Sequence, residues 1–131
     1  MQLTFENRQL PSIIKFLNEV NLSKRASRGR TKLIKRLFEK KEEFVSDLNE
    51  IKTECTNESD IEKYGNDLLK EKMVINMAEY PAQMRALYEA MENNEQDWQG
   101  QNAFAYDILL DNFEKIFEET EVEIVDPVEG E

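Results

Sequence analysis

Apolar residues recur at helical spacing in four stretches of the chain, and each predicts an amphipathic helix. Ile13, Ile14, Leu17 and Val20 follow Pro11, which a first helical turn tolerates, and predict a helix from Ser12 to about Leu22. From Thr31 two series fall seven apart, Leu37, Phe44, Ile51 and Ile34, Lys41, Leu48, Cys55. Together they predict one long helix over 31–55, about 36 Å in length. Phe38 and Val45 widen its apolar stripe, and Lys41, the one charge on the seam, is expected to lay its stem on apolar surface with the ammonium in water. Met84, Leu87, Tyr88 and Met91 predict a helix over 81–92 opened by Pro81, and Phe104, Ile108, Leu109, Phe113, Ile116 and Phe117 predict another over 101–119.

Period-two alternation is shorter and rarer. "LTFEN" reads as a strand or extended arm before Pro11, "KMVINM" as a β-branched run able to pair with it, and "EVEIV" as an edge strand. "TNESDIEKYGND", residues 56–67, breaks the helical pattern and reads as a loop, with at most a single turn started by a Ser59 to Glu62 capping box. The expected fold is therefore mainly α: a compact helical bundle with one long amphipathic helix and room for a small two- or three-stranded β element. One mostly helical domain is expected over 1–125, followed by a flexible acidic tail at 126–131.

Composition narrows the chemistry. At 131 residues the chain has the size of one domain, and its 40% hydrophobic content supports a core. Cys55 is the one cysteine, which excludes an intramolecular disulfide and a cysteine-rich zinc site. Histidine is absent, which removes the commonest general base and metal ligand along with every Ser-His or Cys-His nucleophile. No apolar run nears the roughly 20 residues that cross a bilayer, and the N-terminus lacks the basic-then-apolar order of a signal peptide. The expectation is a cytoplasmic, non-enzymatic protein with no metal, no cofactor and no catalytic residues.

Charge changes the picture most. The net charge is −11, yet residues 1–41 carry 11 basic and 3 acidic side chains against 6 basic and 25 acidic over 42–131. The core of the basic part is "SKRASRGRTKLIKRLFEKK" at 23–41. If residues 24–36 are helical, Lys24, Arg25, Arg28, Lys32, Lys35 and Arg36 share an arc of about 120°, a cationic ridge backed by Ala26, Leu33, Ile34, Leu37 and Phe38. Gly29 costs about 1 kcal/mol inside a helix, so the alternative is a turn near "SRGR" with the helix starting at Thr31. Arg30 falls among the apolar residues on the wheel and calls for a carboxylate, with Asp107, Asp111 and Glu114 as candidates.

Three uses of the ridge compete. The plainest is contact with this protein's own acidic half, within one chain or between copies packed head to tail. The second is phosphate contact with nucleic acid, opposed by the charge of the remaining chain. The third is docking to an acidic protein partner.

Other motifs are weak. Asp60, Glu62, Gly65 and Glu71 match four calcium-loop positions, but Tyr64 and Asp67 break the pattern. "RGRTK" lacks the second glycine of a phosphate loop, "KRAS" and the basic run match kinase and nuclear-localisation patterns that are common by chance, and the carboxylates do not converge as a metal-dependent nuclease requires. Trp98, Tyr80, Tyr88 and Tyr106 read as core residues before they read as base-stacking platforms.

"FENRQLPSIIKFL", the Ser-Arg-x-Arg-x-Lys stretch at Ser27, Arg28, Arg30 and Lys32, and the pattern of Ala103, Ala105, Tyr106, Asp107, Phe113 and Glu114 resemble, over most of the chain, a family of small proteins of unknown function from temperate phages and prophages of Gram-positive bacteria. The resemblance implies a phage origin and no activity or site residue. In that setting the leading expectation is a phage accessory or assembly protein acting through protein–protein contacts, as an oligomer or complex, in the infected or lysogenic host cytoplasm or on the virion. Its partner would be a copy of itself, a virion component or a host defence protein. The alternatives are an acidic nucleic-acid mimic inhibiting a host nuclease defence, and direct nucleic-acid binding through segment 24–36, with no membrane involved.

Overall fold

The structure, a computed structural model, describes residues 1–129, with side chains as far as Glu118. Strand β1 (Gln2–Glu6) leads through a 3₁₀ turn (Asn7–Gln9) into helix α1 (Leu10–Glu19). Helices α2 (Lys24–Glu54) and α3 (Glu58–Lys70) follow, then strand β2 (Lys72–Asn76) and helices α4 (Pro81–Glu92) and α5 (Gln101–Glu129). The fold is mainly α, with one long helix and a two-stranded antiparallel sheet.

"LTFEN" and "KMVINM" pair as their alternation requires. Leu3 lies opposite Ile75 and Phe5 opposite Met73, and these four point into the core while Thr4 and Val74 face out. The sheet is tied to α5, because Asn112 Oδ1 accepts from the Thr4 N–H at 2.9 Å. The core joins this inner sheet face to Ile13, Phe16 and Leu17 of α1, Leu33 and Leu37 of α2, Met84, Leu87 and Met91 of α4, and Leu109 and Phe113 of α5. Phe16 meets Trp98 edge-on at 4.8 Å and Tyr106 at 5.8 Å, so the loop between α4 and α5 closes over the end of α1.

Three expectations change. The segment read as a loop at 56–67 is mostly α3. Its cap is Asn57, whose Oδ1 accepts from the Asp60 N–H at 2.8 Å, and Glu58, Asp60 and Lys70 suit the dipole at its two ends. The polar "TNESD" is a helix start, and Ile61, Gly65 and Leu68 form the inward stripe behind it. The long helix begins at Lys24 and passes through Gly29 without a turn. "EVEIV" stays helical as part of α5, which adds one residue to an existing helix at far lower cost than starting a new strand. Residues 126–129 continue α5, and 130–131 lie outside the described residues.

Gly29 explains the continuity of α2. A Cβ there would sit 2.5 Å from the backbone oxygen of Gln83, so α2 and α4 cross at a distance that only glycine permits. A Cβ at Gly65 would meet Leu48 Cδ1 at 3.6 Å, an ordinary contact between α3 and the second half of α2. The two glycines should respond in opposite directions. Gly29→Ala gains about 1 kcal/mol of helix propensity but forces two backbones apart, and a net loss of about 1–3 kcal/mol is expected in urea unfolding. Gly65→Ala should be neutral or stabilising by up to about 1 kcal/mol; a loss there equal to that at Gly29 would contradict the assigned crossing.

Candidate functional site

The first half of α2 carries the ridge. Lys24, Arg25, Arg28, Lys32 and Lys35 are exposed, whereas Arg36 is half-buried and held by Glu39 and by Glu79 of the β2–α4 connection, each at 3.6 Å. Lys32 places its ammonium 5.0 Å from the centre of the Tyr80 ring, so Tyr80 serves as a cation platform at the edge of the core. Among the described residues, the side chains of Lys24, Arg25, Arg28 and Lys35 have no hydrogen bond or ion pair. Among the described residues of one chain, then, the ridge meets the acidic half only through Arg36 and Glu79.

Arg30 departs from its expected ion pair. Asp107, Asp111 and Glu114 are not its partners; its Nη1 donates to the Val20 carbonyl at 2.8 Å and its Nη2 to Ser27 Oγ at 3.0 Å. Val20 is the C-cap of α1, where unsatisfied carbonyls carry partial negative charge, and the short 20–23 connection folds that end back onto the first turns of α2. A helix end satisfies the guanidinium as a carboxylate would.

The charges on α2 run against its dipole. Its first turn has no acidic residue and begins with Lys24 and Arg25, while Glu50 and Glu54 stand in the last turns beside a single Lys52. Each charge so placed costs about 0.3–1 kcal/mol at low salt. Helix stability therefore does not account for a basic first half and a second half bearing Glu42, Glu43, Asp47, Glu50 and Glu54, all exposed. Lys24 adds a further cost, with φ at +55° in the left-handed region.

Beside the ridge runs an apolar strip. Phe38 is 44% and Val45 45% exposed, and with Lys41, Glu42, Ser46 and Asn49 they line a shallow recess on the outward side of α2. Phe38, expected on the packed arc, lies outside it, and α2 has no fully buried residue beyond Leu37. Lys41 lies as expected, its ammonium 5.8 Å from the Phe38 ring centre. Phe38 and Val45 do not belong to the inward stripe, and their one-residue offset from Leu37 and Phe44 is the sequence feature that separates them from it.

The acidic counterpart is a row on α5. Asp107, Asp111, Glu114 and Glu118 follow at three- and four-residue steps, and partial burial, then Glu118, Asp111 and Glu92, raise the Glu114 carboxyl above its ordinary value. Tyr88 donates its hydroxyl to Glu118 at 3.1 Å and Tyr106 to the Met91 carbonyl at 3.0 Å. Burial is the first cause that pushes both phenols up, and both rings pack as core residues. Asp60 to Glu71, the stretch compared with a calcium loop, is helical in all but its last residue, and no group of three or more metal-ligating side chains occurs among the described residues. No described helix is long and apolar enough to cross a membrane.

Comparison with protein-family models, with curated proteins and with solved structures gives no match to this chain.

The acidic row yields a pH test. Because Glu114 holds its proton more tightly folded than unfolded, its contribution to stability is fully present below about pH 4.5 and is lost as the pH rises through the raised folded value. Glu114→Gln removes the charge. It should melt above the wild type at pH 7, with the difference vanishing below the ordinary carboxylate value; thermal melts across pH 3–8 (roughly the carboxylate range and beyond) would show a constant difference if burial and the neighbouring carboxylates did not raise the Glu114 carboxyl.

Proposed function

We propose that this chain is a non-enzymatic interaction protein that docks other proteins along the outward face of α2, in the setting of a temperate phage or prophage accessory or assembly role. The observation that carries the reading is the conjunction on one helix of Lys24, Arg25, Arg28 and Lys35, unpaired among the described residues, with an exposed Phe38–Val45 strip. Cations alone would suit phosphates, whose contacts are polar and follow a backbone. An apolar strip rimmed by charge has instead the anatomy of a protein interface, where the strip supplies burial and the rim supplies steering. The acidic residues that continue along the same helix would repel a polyanion and favour a partner with both signs of charge.

A second reading has one feature in its favour. The Asp107, Asp111, Glu114, Glu118 row presents regularly spaced carboxylates on one helix, as a mimic of a phosphate backbone would when occupying the basic groove of a host nuclease.

Arg25→Glu, Arg28→Glu, Lys32→Glu and Lys35→Glu combined should fold normally by circular dichroism and reduce capture of protein partners from infected or lysogenic cells by roughly tenfold or more, since each new like-charge contact opposes docking. Unchanged capture would refute docking through the ridge. Retained DNA or RNA affinity falling steeply with salt in the unmodified chain would shift the assignment to nucleic acid, and nuclease inhibition abolished by reversing the α5 carboxylates would shift it to the mimic.

A further inference from the structure

The distribution of charge on α2 specifies an occupant for its outward face. The helix is about 46 Å long, its exposed first half is basic, and its exposed second half is acidic, so the surface is complementary to itself when reversed end to end. An isologous twofold contact satisfies both halves at once, because whatever one copy presents to the other it also receives. Resting on the reading that this face docks protein, we infer that a second copy of the same chain lies antiparallel on α2 and forms a homodimer.

The helical geometry supports the match. At about 100° per residue, Arg28, Lys32, Glu50 and Glu54 fall within about 80° of one another along one flank of α2, and Phe38 and Val45 lie about 20° apart along the opposite flank. In an antiparallel pair related by a twofold axis, like flanks meet. With the axis crossing α2 near Lys41, Lys32 stands opposite Glu50 of the second copy and Arg28 opposite Glu54, while Phe38 and Val45 of both chains gather at the middle. The arrangement covers the half-exposed Phe38 and Val45, gives Arg28 and Lys32, which have no ion pair among the described residues, carboxylate neighbours, and sets the two α2 dipoles head to tail. The charges that run against the dipole within one helix are then offset by the neighbour.

The test is a charge-swap cycle on the whole chain. One variant combines Arg28→Glu, Lys32→Glu and Lys35→Glu; the other combines Glu42→Lys, Glu50→Lys and Glu54→Lys. Both changes agree with the helix dipole, so both chains should fold, as circular dichroism would verify. In sedimentation and light scattering at low salt the unmodified chain should be a dimer that weakens as salt rises. Each variant alone should associate roughly tenfold more weakly or worse, and the two mixed in equal amounts should recover a dimer. A zero-length carbodiimide link between Lys32 and Glu50 gives an independent readout on the unmodified chain. The two residues are about 27 Å apart along one helix, so such a link forms only between copies.

A monomer at high concentration and low salt would overturn the inference, as would a dimer indifferent to both variants or a mixture that fails to associate. If the chain is monomeric while ridge reversal still abolishes partner capture, self-association falls and the docking reading stands; if capture is also unaffected, both fall.

Discussion

Helix α2 crosses helix α4 at a point where no side chain fits. The hydrogen-only side chain of Gly29 lies against the Gln83 carbonyl, and on either side of it Ala26 and Leu33 enter the core. An isolated helix would favour a turn at this glycine, but the packing it permits exceeds the local cost of about 1 kcal/mol. The consequence reaches well beyond the crossing. Because the helix does not break, Lys24 to Arg28 belong to the same rod as Glu42 to Glu54, and a cluster of basic residues acquires a fixed spacing and direction relative to a cluster of acidic ones.

Stability and charge are largely separate in this molecule. The ion pairs among described residues are surface pairs at 3.1–3.6 Å, each contributing at most about 1 kcal/mol. Burial of whole side chains such as Phe5, Phe16 and Phe113 contributes more, at about 1.5–3 kcal/mol each. A core of that kind leaves the exterior free to carry an arrangement that opposes the dipole of its longest helix. That freedom is why the charge pattern of α2 is informative about partners: neither packing nor helix formation calls for it.

The reach of sequence reasoning differs from element to element. The 81–92 helix was legible in full, since Met84, Leu87, Tyr88 and Met91 alternate strongly with polar neighbours and all four are buried. The pairing of "LTFEN" with "KMVINM" was legible from alternation alone. Helix α3 was not, because its inward stripe is interrupted by Gly65 and preceded by residues that serve equally as turn or cap. The ridge was legible as an arc on the wheel, with five of its six members exposed, but Arg36 turned to Glu39 and Glu79 and Arg30 to the end of α1. Those partners come from segments brought together by packing, and no spacing along the chain encodes them.

By itself the sequence determined that the protein is mainly helical, that its charge is divided between two ends of the chain, and that His-dependent chemistry and an internal disulfide are excluded. These follow from periodicity and composition, which are local and additive. Tertiary structure alone decided that α2 is continuous, that Phe38 and Val45 face outward, and that Lys24, Arg25, Arg28 and Lys35 of the ridge remain unpaired among the described residues while Arg36 does not. Each of these depends on which surface a helix turns toward its neighbours, and that is set by the competition of all elements for one core.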